Sequence, residues 1–224
     1  MAGYWEGVNP FIAPGVYRPQ EDTSLLAAAL SDEPLPPDAS VLDVGTGSGA
    51  LALEAARRGA RVTAVDVSRR AVWTAWVNAR LSRLPVRIRH GNLFEPVRGQ
   101  RFDLILANPP YVPAPNGSLP PRGRARAWDA GRDGRLLVDR ICREAPGVLR
   151  PGGVLLMVHS ALSDPDRTVA QLREEGLKAA ATRRSRIPFG PVLSARADWL
   201  RQRGLLDPAE EKEELVVVRA ELPV

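Results

Sequence analysis

The stretch "SVLDVGTGSGALALEAARRGARVTAVDVS", residues 40 to 68, decides the fold. It opens on an apolar run of strand length, passes through Gly45, Gly47 and Gly49, continues with the helical spacing of "ALALEAAR", and closes on a second β-branched run. Strand, glycine turn, helix and strand in that order predict a parallel βαβ unit. Glycine accepts positive φ and lets a ligand approach the backbone closely, and a helix start offers unpaired N–H groups to a negative group. Asp66 ends the second strand about twenty residues on, the place from which a carboxylate accepts both hydroxyls of a ribose. A glycine pattern alone is a weak signal. The complete order predicts a site for a nucleoside-containing ligand.

Outward from this unit, apolar runs alternate with amphipathic stretches. Strands are expected at 40–44, 61–67, 86–90, 102–107 and 153–159, followed by 177–184 and 214–222, with helices between the earlier ones. This is the pattern of a doubly wound α/β domain with a mainly parallel, seven-stranded, Rossmann-like sheet. Residues 40–224 form that domain, and residues 1–39 form a short N-terminal helical segment that caps the cofactor site. In the latter, "EDTSLLAAAL" reads as a helix capped by Asp22 or Thr23, with Leu25, Leu26 and Leu30 facing inward.

Composition sets the outer bounds. With 224 residues, 44% of them hydrophobic and 25% charged, one globular domain is expected. The net charge of +5 is carried almost wholly by arginine and permits a polyanionic or acidic partner. Cys142, the single cysteine, excludes an internal disulfide and fits a reducing compartment. The opening "MAGYWEGVNPF" lacks a signal-peptide pattern and no apolar run reaches membrane-span length, so a soluble, cytoplasmic protein with no membrane association is expected.

"LILANPPYVP", residues 104–113, ends an apolar strand on Asn108, two prolines and Tyr111. In an open sheet of this winding the fourth strand lies beside the first, so its carboxyl end borders the ligand crevice. Pro109 forces Asn108 into an extended conformation, Pro110 does the same to Pro109, and neither proline has an N–H to donate. The outcome is a stiff corner that carries acceptors. The side-chain oxygen of Asn108 and a main-chain carbonyl at Asn108 or Pro109 can together take both hydrogens of a planar –NH₂ group, with Tyr111 against its flat face. Such a corner grips an amide or an aminopurine. Asn108 is too weak a base to remove a proton and acts as an orienter.

"DVGTGSG", Asp66, "GNLF" at 91–94 and "NPPY" resemble the motifs of class I S-adenosylmethionine-dependent methyltransferases that act on exocyclic or amide nitrogen. "VYRPQEDTSLL" at 16–26, "AWDAGRDGRLLVDR" at 127–140 and "LRPGGVLLMVHS" at 149–160 resemble the HemK family, in particular its compact branch that methylates the glutamine of the Gly-Gly-Gln motif in peptide release factors. The likeness runs from about Tyr17 to His159. It implies that Asp43, Gly45, Gly47 and Gly49 hold the methionine part of S-adenosylmethionine, that Asp66 holds its ribose, and that Asn92 and Leu93 flank its adenine. The family more often has Asp where this chain has Asn92. Thr23 would reach the cofactor from the N-terminal helix, Asn108 would also contact the cofactor, and Asn108, Pro109 and Tyr111 would bind the target nitrogen. It further implies a release factor as protein substrate, and a small zinc-binding activator subunit as a partner of the kind that relatives use. Only about forty residues precede the first strand, fewer than the separate helical domain of bacterial relatives, and "SRIPFGPVLSARADWLRQRGLLDP" is longer than the expected link between the last strands.

Other features carry bland readings beside functional ones. Arg183, Arg184, Arg186, Arg196, Arg201 and Arg203 bind RNA or an acidic surface, or simply coat a solvated face. The loop from Pro113 to Arg126, with Arg122 and Arg124, has the length of a substrate lid. His90 and His159 lack ligand companions at metal spacing, and no metal is expected. Trp73 and Trp76 fall three apart on a helix and are expected to pack; Trp128 and Trp199 are candidate contact residues. An adenine amino-group methyltransferase acting on nucleic acid and a non-catalytic cofactor-binding scaffold remain as alternatives. A dehydrogenase would need a proton-relay residue that the sequence does not offer.

Overall fold

The computed structural model describes residues 10–121 and 123–224; the first nine residues and Arg122 of the expected lid lie outside them. Among the described residues seven strands form one sheet in the order β3-β2-β1-β4-β5-β7-β6. They are β1 (Ser40–Val44), β2 (Arg61–Asp66), β3 (Val86–His90), β4 (Phe102–Ala107), β5 (Leu149–Ser160), β6 (Lys178–Pro188) and β7 (Lys212–Glu221). β1 pairs in parallel with both β2 and β4, so the chain reverses its winding direction beside β1 and opens a crevice at the strand ends there. β7 alone runs antiparallel, between β5 and β6. β6 extends beyond the apolar run that announces it because β7 offers it a long antiparallel partner, and β5 begins earlier than its apolar run, at Leu149, where it pairs with Phe102 of β4.

Helices α1 (Glu21–Asp32), α2 (Ala50–Arg57), α3 (Arg69–Leu81), α4 (Val138–Glu144), α5 (Pro165–Glu174) and α6 (Pro191–Gln202) cover the sheet. Two apolar cores result. One gathers Leu26 and Leu30 of α1, Leu51 and Ala55 of α2, and the residues of β1, β2 and β4 that face them. Fully burying a leucine contributes about 1.5–3 kcal/mol, so Leu26 and Leu30 bind α1 firmly to the sheet. The other core joins Tyr111 and Val112, just past β4, to Ile141 of α4 and to Leu193, Ala197 and Leu200 of α6.

Several expectations are corrected. The N-cap of α1 is Gln20, which makes no capping bond through its side chain; Asp22 is instead buried and turned to other partners. Tyr111 is buried, which leaves it in the wall of the corner rather than at the surface. Trp73 and Trp76 do not pack inward: they remain 52% and 49% exposed on the outer face of α3. The arginines late in the chain are largely paired, Arg183 with Asp32, Arg184 with Glu214, Arg186 with Glu210, Arg196 with Asp129 and Arg201 with Asp198.

The segment after the lid is fastened by Arg135, whose side chain is 2% exposed. Its guanidinium donates to the carbonyls of Ser163 and Asp164 and to Thr168 Oγ1, and pairs with Asp139. Replacing it strands buried acceptors on two elements at once. Arg135→Met, which keeps the apolar stem, is expected to lower the unfolding free energy by about 3 kcal/mol, read as a reduced urea midpoint at unchanged slope.

Candidate functional site

The glycine turn is built outward from the end of β2. Gly45 and Thr46 donate their N–H groups to the Val65 carbonyl at 2.9 and 3.0 Å, and Gly47 donates to Asp66 Oδ2 at 2.9 Å. Asp66 Oδ1 accepts from the Ser68 amide at 2.7 Å. All three glycines have positive φ, but their surroundings differ. A Cβ on Gly45 would point into the gap facing the Asn108 carbonyl, 3.9 Å away, whereas a Cβ on Gly49 would meet Ala75 of α3 at 3.1 Å. Gly45 therefore keeps ligand space open, while Gly49 admits α3.

Asp43 stands behind the turn and does not line the crevice. It is almost fully buried and accepts from Thr46 Oγ1 at 2.5 Å and from the Ala52 amide at 3.2 Å, bracing the turn against the start of α2. Burial raises its pKa to about 7, opposed by the hydrogen bonds from Thr46 and Ala52. Asn78, which the sequence analysis did not single out, braces the turn from α3 by donating to the Ser48 carbonyl at 2.8 Å and to Phe11 O at 2.9 Å.

From this turn a cavity of about 690 Å³ runs past Asp66 and the 90–93 segment to the Asn108–Tyr111 corner. Leu93, held at φ +46°, joins Leu137 and Ile141 in an apolar stretch of its wall. Asn92 also lines it, with its side chain donating to Glu95 at 3.2 Å and accepting from Arg140 at 3.4 Å. Burial raises the Asp66 pKa, against the hydrogen bonds from Ser68 and Gly47 and the nearby charge of Arg126. His90 lines the same wall and contacts the Val67 carbonyl at 3.1 Å. His159 is remote from it, buried beside the Ser160 carbonyl.

At the far end, helix α1 meets the corner. Asn108 Nδ2 donates to Thr23 Oγ1 at 3.4 Å. Thr23 in turn donates its amide and hydroxyl to Asp22 Oδ1, at 2.6 and 3.1 Å. The other oxygen of Asp22 accepts from both phenols, Tyr17 at 2.8 Å and Tyr111 at 3.3 Å. Burial first, and the Asp22 charge second, raise both tyrosine pKa values, so each hydroxyl stays a donor throughout the neutral range. Behind the corner, Ser163 Oγ donates to the Tyr111 carbonyl at 2.7 Å, and a Cβ on Gly134 would stand 2.2 Å from that same oxygen. Val112 exchanges backbone bonds with Trp128 and Ala130.

Among the described residues no protein donor reaches Asn108 Oδ1 or the carbonyls of Asn108 and Pro109. The corner therefore offers unspent acceptors to a planar donor group, and the glycine end offers a carboxylate and an open backbone to a nucleoside.

Residues 13–117 match the family model for the methyltransferase small domain. A Methanocaldococcus jannaschii protein described as a protein N5-glutamine methyltransferase is 34% identical over 189 residues, which cover 84% of this chain and 94% of the relative. The chain belongs to the HemK-like methyltransferases. The release factor glutamine methyltransferase of Geobacter sulfurreducens is 37% identical over 161 residues, 67% of this chain, and the chain spans about half of that relative, 55%. Among solved structures, the methyltransferase fold is matched by a chain of the E. cuniculi Mtq2–Trm112 complex, with a TM-score of 0.65 and 22% identity over 93% of this chain and 99% of that one. That complex is described as responsible for methylating the eRF1 translation termination factor.

Of the site residues expected from sequence, Thr23, Gly45, Gly47, Asp66, Asn92, Leu93, Asn108, Pro109 and Tyr111 share one cavity, whereas Asp43 and Gly49 support its wall from behind. Because the folded-state pKa of Asp43 is raised, its ionisation opposes folding: that contribution is absent below about pH 4 and grows as pH rises toward 7. Asp43→Asn should thus gain on the unsubstituted enzyme by on the order of 2 kcal/mol between pH 5 and pH 8, measured as the difference in urea-unfolding free energy at the two pH values.

Proposed function

We infer that this enzyme transfers a methyl group from S-adenosylmethionine to the side-chain amide nitrogen of a protein glutamine, the acceptor being the Gly-Gly-Gln motif of a peptide release factor. The observation that carries the reading is the Asn108–Pro109 corner, with its unspent acceptors, facing the glycine turn across one cavity. Names of relatives that act on release factors support the acceptor.

The residues present fit the cofactor. Gly45 keeps the backbone clear where a side chain would fill the space, Asp66 supplies carboxylate oxygens for ribose hydroxyls, and Leu93, Leu137 and Ile141 supply an apolar slot for a purine. When bound, S-adenosylmethionine supplies an electrophilic methyl carbon on a positively charged sulfur. The protein's task is then to present a nitrogen to it. An amide nitrogen is a poor nucleophile because its lone pair is delocalised. Asn108 Oδ1 and a carbonyl of Asn108 or Pro109 draw on its two hydrogens and raise the electron density it brings to the new bond. The prolines contribute no competing donor. Thr23 fixes the Asn108 amide from α1, and Asp22 holds the Tyr111 ring beside the acceptor plane. Alignment of this kind can supply on the order of 7–11 kcal/mol of the barrier. As the new C–N bond would replace the methyl–sulfur bond, the proton that the nitrogen sheds would pass to water, and Asn108 does not take it; it orients.

In this reading the described part of the N-terminal segment expected at 1–39, residues 10–39, caps the cofactor crevice and residues 40–224 form the catalytic domain. A small activator subunit is the expected partner, supported by the second protein in the E. cuniculi complex. Incubation with isotopically labelled cofactor and a release factor, followed by peptide mapping, should place the label on the motif glutamine. Label on nucleic acid with the protein unmodified overturns the acceptor. Asn108→Ala should reduce turnover by about 100-fold or more while calorimetry shows cofactor binding changed only slightly; equal losses in both would remove Asn108 from the acceptor side.

A further inference from the structure

Residues 69–90, which run along α3 and through β3, hold six arginines and no aspartate or glutamate, while the whole chain carries a net charge of only +5. The remainder of the molecule is therefore slightly acidic, and this segment alone sets the sign. Among the described residues none of the six enters an ion pair, in contrast to the arginines of β6 and α6. Like charges gathered on an exposed face repel one another only weakly where water and salt screen them, but together they draw a negatively charged partner to that face.

Positions 69, 73, 76, 80 and 83 recur every three or four residues and so share one face of the helix and its exit turn. They are Arg69, Trp73, Trp76, Arg80 and Arg83, and all five are exposed. The Arg80 guanidinium lies 5.4 Å from the centre of the Trp76 ring, and Trp73 meets Phe11 edge-on at 5.5 Å. Beside this face β3 is a sheet edge, paired only with β2, and carries exposed Arg87 and Arg89. Charged residues commonly protect an edge strand from pairing. That accounts for Arg87 and Arg89; it leaves the two indoles and Arg80 and Arg83 without a role.

We propose that the outer face of α3, with the adjoining β3 edge, is a docking surface for single-stranded RNA. Unpaired bases present flat faces for the two indoles, which sit about one helical turn apart, and successive phosphates meet the flanking guanidinium groups. Tryptophan and arginine are common at protein interfaces as well, but six guanidinium groups in one segment with no carboxylate among them suit a partner with a regular run of negative charge. Here a guanidinium lies over an indole and further cations flank the rings. The surface would hold the methyltransferase on an RNA-containing assembly, independently of which side chain it methylates.

Fluorescence anisotropy with a labelled, mixed-sequence single-stranded RNA of about twelve nucleotides, titrated at several salt concentrations, tests the proposal. The unsubstituted enzyme should bind. The set R80Q/R83Q/R87Q/R89Q should weaken binding at least tenfold and flatten the salt dependence, each lost phosphate contact removing about 0.7 from the log–log slope. The matching Arg→Lys set should keep most of the affinity, because a phosphate needs the charge rather than the fork. Trp73→Ala with Trp76→Ala should weaken binding and leave the salt slope in place. A control that loses the same charge elsewhere, R183Q/R184Q/R186Q/R201Q, should bind as the unsubstituted enzyme does. No binding at low salt, or an equal loss in the control set, overturns the proposal. Displacement of the RNA by polyglutamate at equal charge does so too, and assigns the face to an acidic protein. Methyl transfer to an isolated protein acceptor is assayed in parallel, and its failure in the unsubstituted enzyme bears on the acceptor reading alone.

Discussion

The buried carboxylate of Asp22 is the constraint on which the acceptor end of the site depends. Removing an ionised carboxylate from water is costly unless its oxygens are filled with donors. Here one oxygen takes the amide and hydroxyl of Thr23 and the other takes the hydroxyls of Tyr17 and Tyr111. Those four donors come from the approach to α1, from α1 itself and from the corner after β4. The carboxylate is satisfied only when all three are in place. A group that demands this many partners forces distant parts of the chain into one geometry, and that geometry is the one that aims Asn108 into the cavity.

The two halves of the crevice are made by the same topological event. β1 lies between β2 and β4, so the turn after β1 and the corner after β4 emerge side by side, while Asp66 emerges from the far neighbour. Each half is braced from behind by a buried polar side chain with no access to the cavity: Asp43 for the turn, Ser163 for the corner. Rigid bracing matters here because the proposed reaction uses no strongly basic side chain. What the protein contributes is placement, and placement survives only if the backbone carrying the acceptors cannot relax.

Much of this was legible along the chain. The ends of β1 and β4 fall where the apolar runs end, at Gly45 and at Asn108 with its prolines, while β3, an exposed edge strand that alternates apolar residues with arginine, is bounded by Pro85 and Gly91. The glycine turn, Asp66 and the Asn108 corner were readable for a related reason: their chemistry is local. Asp22 was not, since its partner Tyr111 lies 89 residues away and a carboxylate in a first helical turn looks like a cap. Trp73 and Trp76 misled in the opposite sense. Indole at helical spacing signals burial, but the helix turns Ala71, Ala75 and Ala79 toward the sheet and leaves the tryptophans outside. Nor does a count of arginines tell paired from free, because pairing depends on which strands become neighbours.

The insert between β6 and β7 shows how a segment without a motif joins the site. Its helix α6 buries Leu193, Ala197 and Leu200 in the same core as Tyr111 and Val112. From this helix Arg196 donates to the Pro113 carbonyl at 3.0 Å and pairs with Asp129 at 2.6 Å. Asp129 in turn bridges in parallel to Val112. One side chain thus ties together the residues that leave the corner and the strand-like stretch that returns beside it. Asp22 holds the corner from α1, Ser163 from beyond β5, and Arg196 from α6, so three separate parts of the chain converge on Asn108–Pro113. A corner fixed from three directions has little freedom left to follow a misplaced acceptor, and selectivity among nitrogens can then arise from what fits the fixed corner rather than from contacts that adapt to each candidate.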